Sequence, residues 1–123
     1  MLLNIADGIL RIAKSEGYAL TPMQLTKLAY IAHGWHLAFY DTPLFSERIE
    51  AWRYGPVMPD LYQATKRYGR APIPLEQIGG VDDARLPAKT MEFLTSVYES
   101  YKGRTGIDLS RMTHMSGTPW VQT

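Results

Sequence analysis

The run TPMQLTKLAYIAHGWHLAFY, residues 21–40, decides how the rest of the chain is read. It opens on a helix start signal. Thr21 offers an N-cap hydroxyl, Pro22 takes the first helical position, and Gln24 completes a capping box. Leu25, Leu28, Ala32, Trp35 and Phe39 then recur at helical spacing, which predicts a helix to about Tyr40 with these residues on its apolar stripe. Ala29, Ala32 and Gly34 keep parts of its surface small, so a neighbouring helix can come close. Gly34 costs about 1 kcal/mol against alanine inside a helix, so packing explains it better than propensity.

Outward from this segment the helical pattern continues. Over residues 2–15, Leu2, Ile5, Ile9 and Ile12 share a face, while Asp7, Arg11 and Lys14 lie elsewhere. Gly17 then provides a C-terminal glycine stop. After Tyr40 the pattern breaks. Asp41-Thr42-Pro43 is a turn signal, and RIEAW, residues 48–52, predicts a short strand. Gly55-Pro56 predicts a turn, with Trp52 in the core by its size. Pro59 suits a helix start, and Leu61, Tyr62, Thr65 and Tyr68 carry that helix to Gly69. Residues 70–86 form the longest loop, with Ile73, Leu75, Ile78 and Val81 spaced to touch a core. A fourth helix is predicted from Pro87 to Lys102, with Met91, Leu94, Tyr98 and Tyr101 as its stripe. A short fifth follows from Thr105, carrying Leu109 and Met112 towards Gly117. The fold class is therefore mainly α, a compact helical bundle of about five helices with a small β element near residues 45–55. Residues 1–123 read as one domain.

Composition narrows the function classes. A chain of 123 residues suits one domain with a modest core. The net charge of +1 argues against a protein built around nucleic-acid phosphates. Cysteine is absent, which removes disulfides, thiolate nucleophiles and Cys-ligated metals. No apolar run approaches the roughly 20 residues that span a bilayer, so no membrane association is expected. Residues 1–17 carry Asp7, Arg11, Lys14 and Glu16 and read as no signal peptide. A cytoplasmic protein is the expectation.

The catalytic inventory is sparse. There is no G-x-S-x-G elbow and no glycine-rich phosphate loop in a strand-to-helix setting. His33 and His36 lie three apart on one helix, but the one remaining histidine is His114. A metal site needs more ligands than that, so a locally hydrogen-bonded pair is the favoured reading over a metal-dependent hydrolase. Glu47 and Glu50 read as solvated carboxylates. The best basic-aromatic patch is TKRYGRA, residues 65–71, where Lys66, Arg67 and Arg70 surround Tyr68. As a nucleic-acid site it supplies few phosphate contacts. As a helix end its cations complement the dipole.

The stretch EAWRYGPVMPDLY, residues 50–62, concentrates three aromatics, two prolines and a glycine. Together with Leu25, Lys27, Leu28, Tyr30, Gly34, Trp35, His36 and Pro43-Leu44-Phe45, it resembles the Panacea antitoxin domain. That family includes SocA-type proteolysis adaptors and phage-associated GepA-like proteins. Leu109, Thr113, His114, Pro119 and Trp120 are similar to its second, shorter signature. The resemblance implies a non-enzymatic antitoxin without cofactor or metal. Its partner would be a cognate protein toxin, usually encoded next door and neutralised by direct contact. The first alternative is an adaptor that delivers the toxin to a bacterial ATP-dependent protease. The second is a DNA-binding regulator, disfavoured by the charge balance and by the absence of a convincing helix-turn-helix. Relatives continue into a further helical segment beyond the position equivalent to Trp120, so a short or truncated member is expected. The candidate contact residues are Arg53, Tyr54, Tyr62, Arg67 and Tyr68, polar-tipped groups beside a rigid turn, with Tyr54 preferred to Trp52.

Overall fold

The computed structural model describes residues 1–53, 55–74 and 86–102. Its longest element is helix α2, Pro22–Tyr40. The capping box closes as the sequence predicts. The Gln24 N–H donates to Thr21 Oγ1 at 3.2 Å, and the Thr21 N–H donates to Gln24 Oε1 at 3.0 Å. The helix ends at Asp41, whose φ of 57° is left-handed and whose N–H returns to the Leu37 carbonyl at 3.0 Å. Aspartate is among the few residues that tolerate that conformation.

Helix α1, Leu2–Ser15, buries Leu2, Ile5, Ile9 and Ile12, the face that the spacing marked. The start of α1 is satisfied from a distance in sequence. Glu47 Oε2 accepts from the Leu2 N–H at 3.0 Å and from the Met1 ammonium at 3.2 Å. Burial pushes the Glu47 carboxyl up, but the Leu2 N–H and the neighbouring ammonium outweigh it and hold the group below the usual carboxylate range. Two short strands follow, β1 (Glu50–Trp52) and β2 (Gly55–Val57), paired antiparallel as Glu50↔Val57, Ala51↔Pro56 and Trp52↔Gly55. Helix α3, Pro59–Thr65, continues as a 3-10 turn over Lys66–Tyr68. Helix α4 spans Ala88–Tyr101.

Helix α1 packs against α2, α3 and α4, and α2 also carries α3, α4 and β2. The core runs from Leu2 and Ile5 of α1 through Leu25, Leu28 and Ile31 of α2 to Leu61 of α3 and Leu94 and Tyr98 of α4. Between Ile9, Leu28, Ala32, Leu94, Val97 and Tyr98 there is no room for a water molecule. At Gly8, helix α1 comes close to Leu86 and to Met91 of α4. A Cβ there would lie 3.1 Å from Leu86 Cδ1 and 3.2 Å from Met91 Sδ. The ends of α1 and α4 are joined by Lys102 Nζ, which reaches Glu16 at 2.9 Å and Glu99 at 2.7 Å. The hydrogen bonds it donates to these two carboxylates, Glu99 first and then Glu16, raise the Lys102 ammonium above its ordinary range.

Several expectations are corrected. The strand covers residues 50–52, not 48–52. Gly55 and Pro56 lie in β2, so the reversal comes before them in the chain. Gly55 still needs to be glycine, because its φ is 114°. The third helix gives way to the 3-10 turn after Thr65. Phe39 is 68% exposed and leaves the apolar stripe, and Trp52 is 42% exposed rather than core. Ile73 does reach the core, with its N–H on the Leu20 carbonyl at 2.8 Å. The predicted fifth helix, with Leu75, Ile78 and Val81 of the loop, lies outside the described residues. The main architecture agrees with the expectation: mainly helical, with four α-helices and one two-stranded sheet among the described residues.

Lys27 of α2 is 2% exposed, and its Nζ donates to the Pro56 carbonyl at 3.1 Å. Burial lowers its pKa from 10.5 to about 8. Between those values the unfolded chain holds a proton that the folded chain has released, so stability rises with pH across that window. Melting curves of wild type and Lys27→Met are expected to differ by a constant amount below about pH 7. From pH 8 to 10.5 wild type gains on the variant; a constant gap throughout contradicts the burial of a charged lysine. Gly8→Val is expected to lower stability by about 1–3 kcal/mol in denaturant titration, since two new methyls enter the α1–α4 contact.

Candidate partner-binding surface

Alternation along an extended chain sends every second side chain to the same face. Arg48, Glu50 and Trp52 therefore project together, and the structure joins them. Glu50 Oε2 accepts from Arg48 Nε at 3.3 Å, and Glu50 Oε1 accepts from Trp52 Nε1 at 2.9 Å. The indole ring also meets Tyr62 of α3 edge to face, with centroids 5.1 Å apart. Tyr62 is 41% exposed. It is held there because its helix buries Leu61 and Thr65 on the inner side, with Thr65 Oγ1 donating to the Leu61 carbonyl at 2.9 Å. Lys66 follows one turn later, its N–H on the Tyr62 carbonyl.

The other sequence-predicted residues fall on the same supersecondary unit. Arg53 is exposed directly after β1. Arg67 and Tyr68 form a pair of their own. Arg67 Nη2 donates to the Tyr68 hydroxyl at 2.9 Å, and its guanidinium lies 5.0 Å from the ring centroid. Tyr68 is half-buried against the core, which fixes the pair from beneath. Tyr54 lies outside the described residues. Trp52 is the residue that sequence reasoning missed. Its signal was available: it shares a strand face with Arg48 and Glu50, two charged residues that mark the solvent side.

A second aromatic cluster stands at the end of α2. Trp35 and Phe39 stack with centroids 5.3 Å apart, and Trp35 Nε1 donates to the Tyr101 hydroxyl at 2.8 Å. His36, Tyr40 and Phe93 meet one another at 4.9–5.9 Å. His36 Nδ1 carries a proton to the Thr42 carbonyl at 2.7 Å, since that oxygen can only accept. His33 is buried against Phe45 at 4.2 Å, and burial, then the neighbouring His36, lowers its pKa. The two histidines thus face different neighbours. Among the described residues no three His, Cys, Asp or Glu side chains come together as a metal could require. No described helix is long and apolar enough to cross a membrane.

The geometry gathers exposed aromatics, cations and carboxylates on a braced hairpin and helix. The two tryptophans should respond differently to truncation. Trp52→Ala is expected to change stability by less than about 1 kcal/mol, as an exposed ring. Trp35→Ala is expected to cost about 2 kcal/mol or more, because it opens a half-buried contact. Thermal melts of the two variants test this, and a larger loss at Trp52 contradicts its exposure.

Comparison with known proteins concerns the chain as a whole. The profile described as Antitoxin SocA-like, Panacea domain matches residues 25–121. Antitoxin SocA of Caulobacter vibrioides (strain NA1000 / CB15N) is 26% identical over 124 residues, covering 94% of this chain. The chain spans 66% of the length of that relative. No solved structure gives a significant match.

Proposed function

The chain belongs to the SocA-like, Panacea-domain antitoxin family, and on that premise we propose that it is an antitoxin that neutralises a protein toxin by direct binding. The observation that carries this reading is the family match over residues 25–121, most of the chain. The physical character of the described residues is in keeping with it. The hairpin and α3 form a braced platform whose exposed groups include Trp, Tyr and Arg, the residue types that dominate binding energy at protein interfaces. We assign the toxin contact to Arg53, Tyr54, Tyr62, Arg67 and Tyr68 on this unit, and read the protein as a single, non-enzymatic domain acting in the cytoplasm. The toxin would be the product of the adjacent gene.

Neutralisation by contact requires that the toxin stay present but inactive. Expression of the adjacent gene product alone is expected to arrest growth, and co-expression of this chain to restore it. Immunoblots of the rescued cells should still show the toxin, recovered with the tagged antitoxin. A neighbour harmless by itself, or toxic despite this protein, contradicts the antitoxin reading. Restored growth with disappearance of the toxin points instead to delivery for proteolysis.

A further inference from the structure

Resting on that reading of the chain as a toxin-binding protein, we propose that the β1–β2 and α3 face receives an acidic protein surface, with Trp52 as its aromatic anchor. Trp52 is held before any partner arrives. Glu50 grips its indole N–H at 2.9 Å, Tyr62 supports the ring at 5.1 Å, and 42% of the residue remains exposed. A large apolar group already fixed in one orientation loses little conformational freedom on binding, which makes it a strong anchor. Its polar atom is satisfied within the chain, so the partner need supply only an apolar recess.

Charge defines what surrounds that recess. Residues 48–70 hold Arg48, Arg53, Lys66, Arg67 and Arg70 against Glu50 and Asp60. Five cations against two carboxylates give this segment +3, whereas the whole chain carries +1, so the remainder carries −2. All five cations are exposed. The positive charge of a nearly neutral protein is thus gathered on one unit, which complements an acidic face. A nucleic acid is the poorer fit. The Glu50 carboxylate lies between Arg48 and Trp52, where a phosphate backbone approaching the ring meets like charge. Carboxylates on a folded partner stand at separate points and can meet the arginines while leaving Glu50 clear.

The test is titration of the purified chain with the purified adjacent gene product by calorimetry, at low and at moderate salt. Trp52→Ala is expected to weaken binding at least about 30-fold. The double reversal Arg48→Glu with Arg67→Glu is expected to weaken it too, and to remove most of the salt dependence. Phe39→Ala, in the α2 cluster, should bind within about twofold of wild type. Circular dichroism melts confirm that each variant is folded. If the Trp52 variant and the double reversal both bind as wild type does, the inference is overturned while the antitoxin reading stands. A loss at Phe39 equal to that at Trp52 also overturns it. So does retardation of duplex DNA at physiological salt that the double reversal abolishes. If wild type does not bind the product at all, the antitoxin reading fails and takes this inference with it.

Discussion

One partly buried hydrogen bond ties the hairpin to the helical core. Pro56 pairs with Ala51 one step in from the closing pair Trp52↔Gly55. At such a position the carbonyl turns away from the partner strand, and proline has no N–H to offer. The oxygen faces α2, where Lys27 Nζ meets it at 3.1 Å. A fully buried carbonyl left without a donor costs about 1–3 kcal/mol, and a partly buried one a share of that. A lysine stem is long enough to reach it from the helix and apolar enough to be buried on the way. Since the same strand leads through Met58 directly into α3, fixing Pro56 also fixes where α3 starts. Lys27 and Gly55-Pro56 are thus a mechanical unit, which explains why residues far apart in sequence belong to one signature.

The molecule divides its labour accordingly. Helices α1, α2 and α4 supply the close-packed interior, and the hairpin with α3 presents polar-tipped aromatics to solvent on a frame anchored by Lys27. Rigidity and exposure are usually opposed, because exposed groups have few contacts. Here Glu50 resolves the conflict for Trp52 by binding it and Arg48 at once, so the ring is oriented without being buried.

Much of this was legible in the sequence. The capping box at Thr21, the Ile5–Ile9–Ile12 stripe and the proline at the head of α3 each encode a local geometry that packing does not overrule. The failures have a common cause. Phe39 and Trp52 obey their local pattern, and burial is decided by what happens to lie opposite. Phe39 stands in the last turn of α2 and stacks back on Trp35 instead of entering the core. Gly55-Pro56 carries turn chemistry, yet Gly55 uses its positive φ within a strand, and the reversal comes before it. The Lys27–Pro56 bond itself was invisible, because the residues carry no signal that names each other. The candidate surface was half legible: Tyr62, Arg67, Tyr68 and Arg53 fall on the same unit, but the ring that joins hairpin to helix had been assigned to the interior.

The tie between Lys102 and Glu16 has a consequence during synthesis. Helix α1 buries part of its apolar face against α4, and the two helix ends are clasped across 86 residues of chain. Helix α1 leaves the ribosome before α4 and therefore waits for it before that part of its interior side is covered. At ordinary elongation rates that interval is on the order of 5–15 s. Throughout it, Ile5, Ile9 and Leu10 belong to a nascent chain whose core is open on one side, accessible to chaperones and proteases alike.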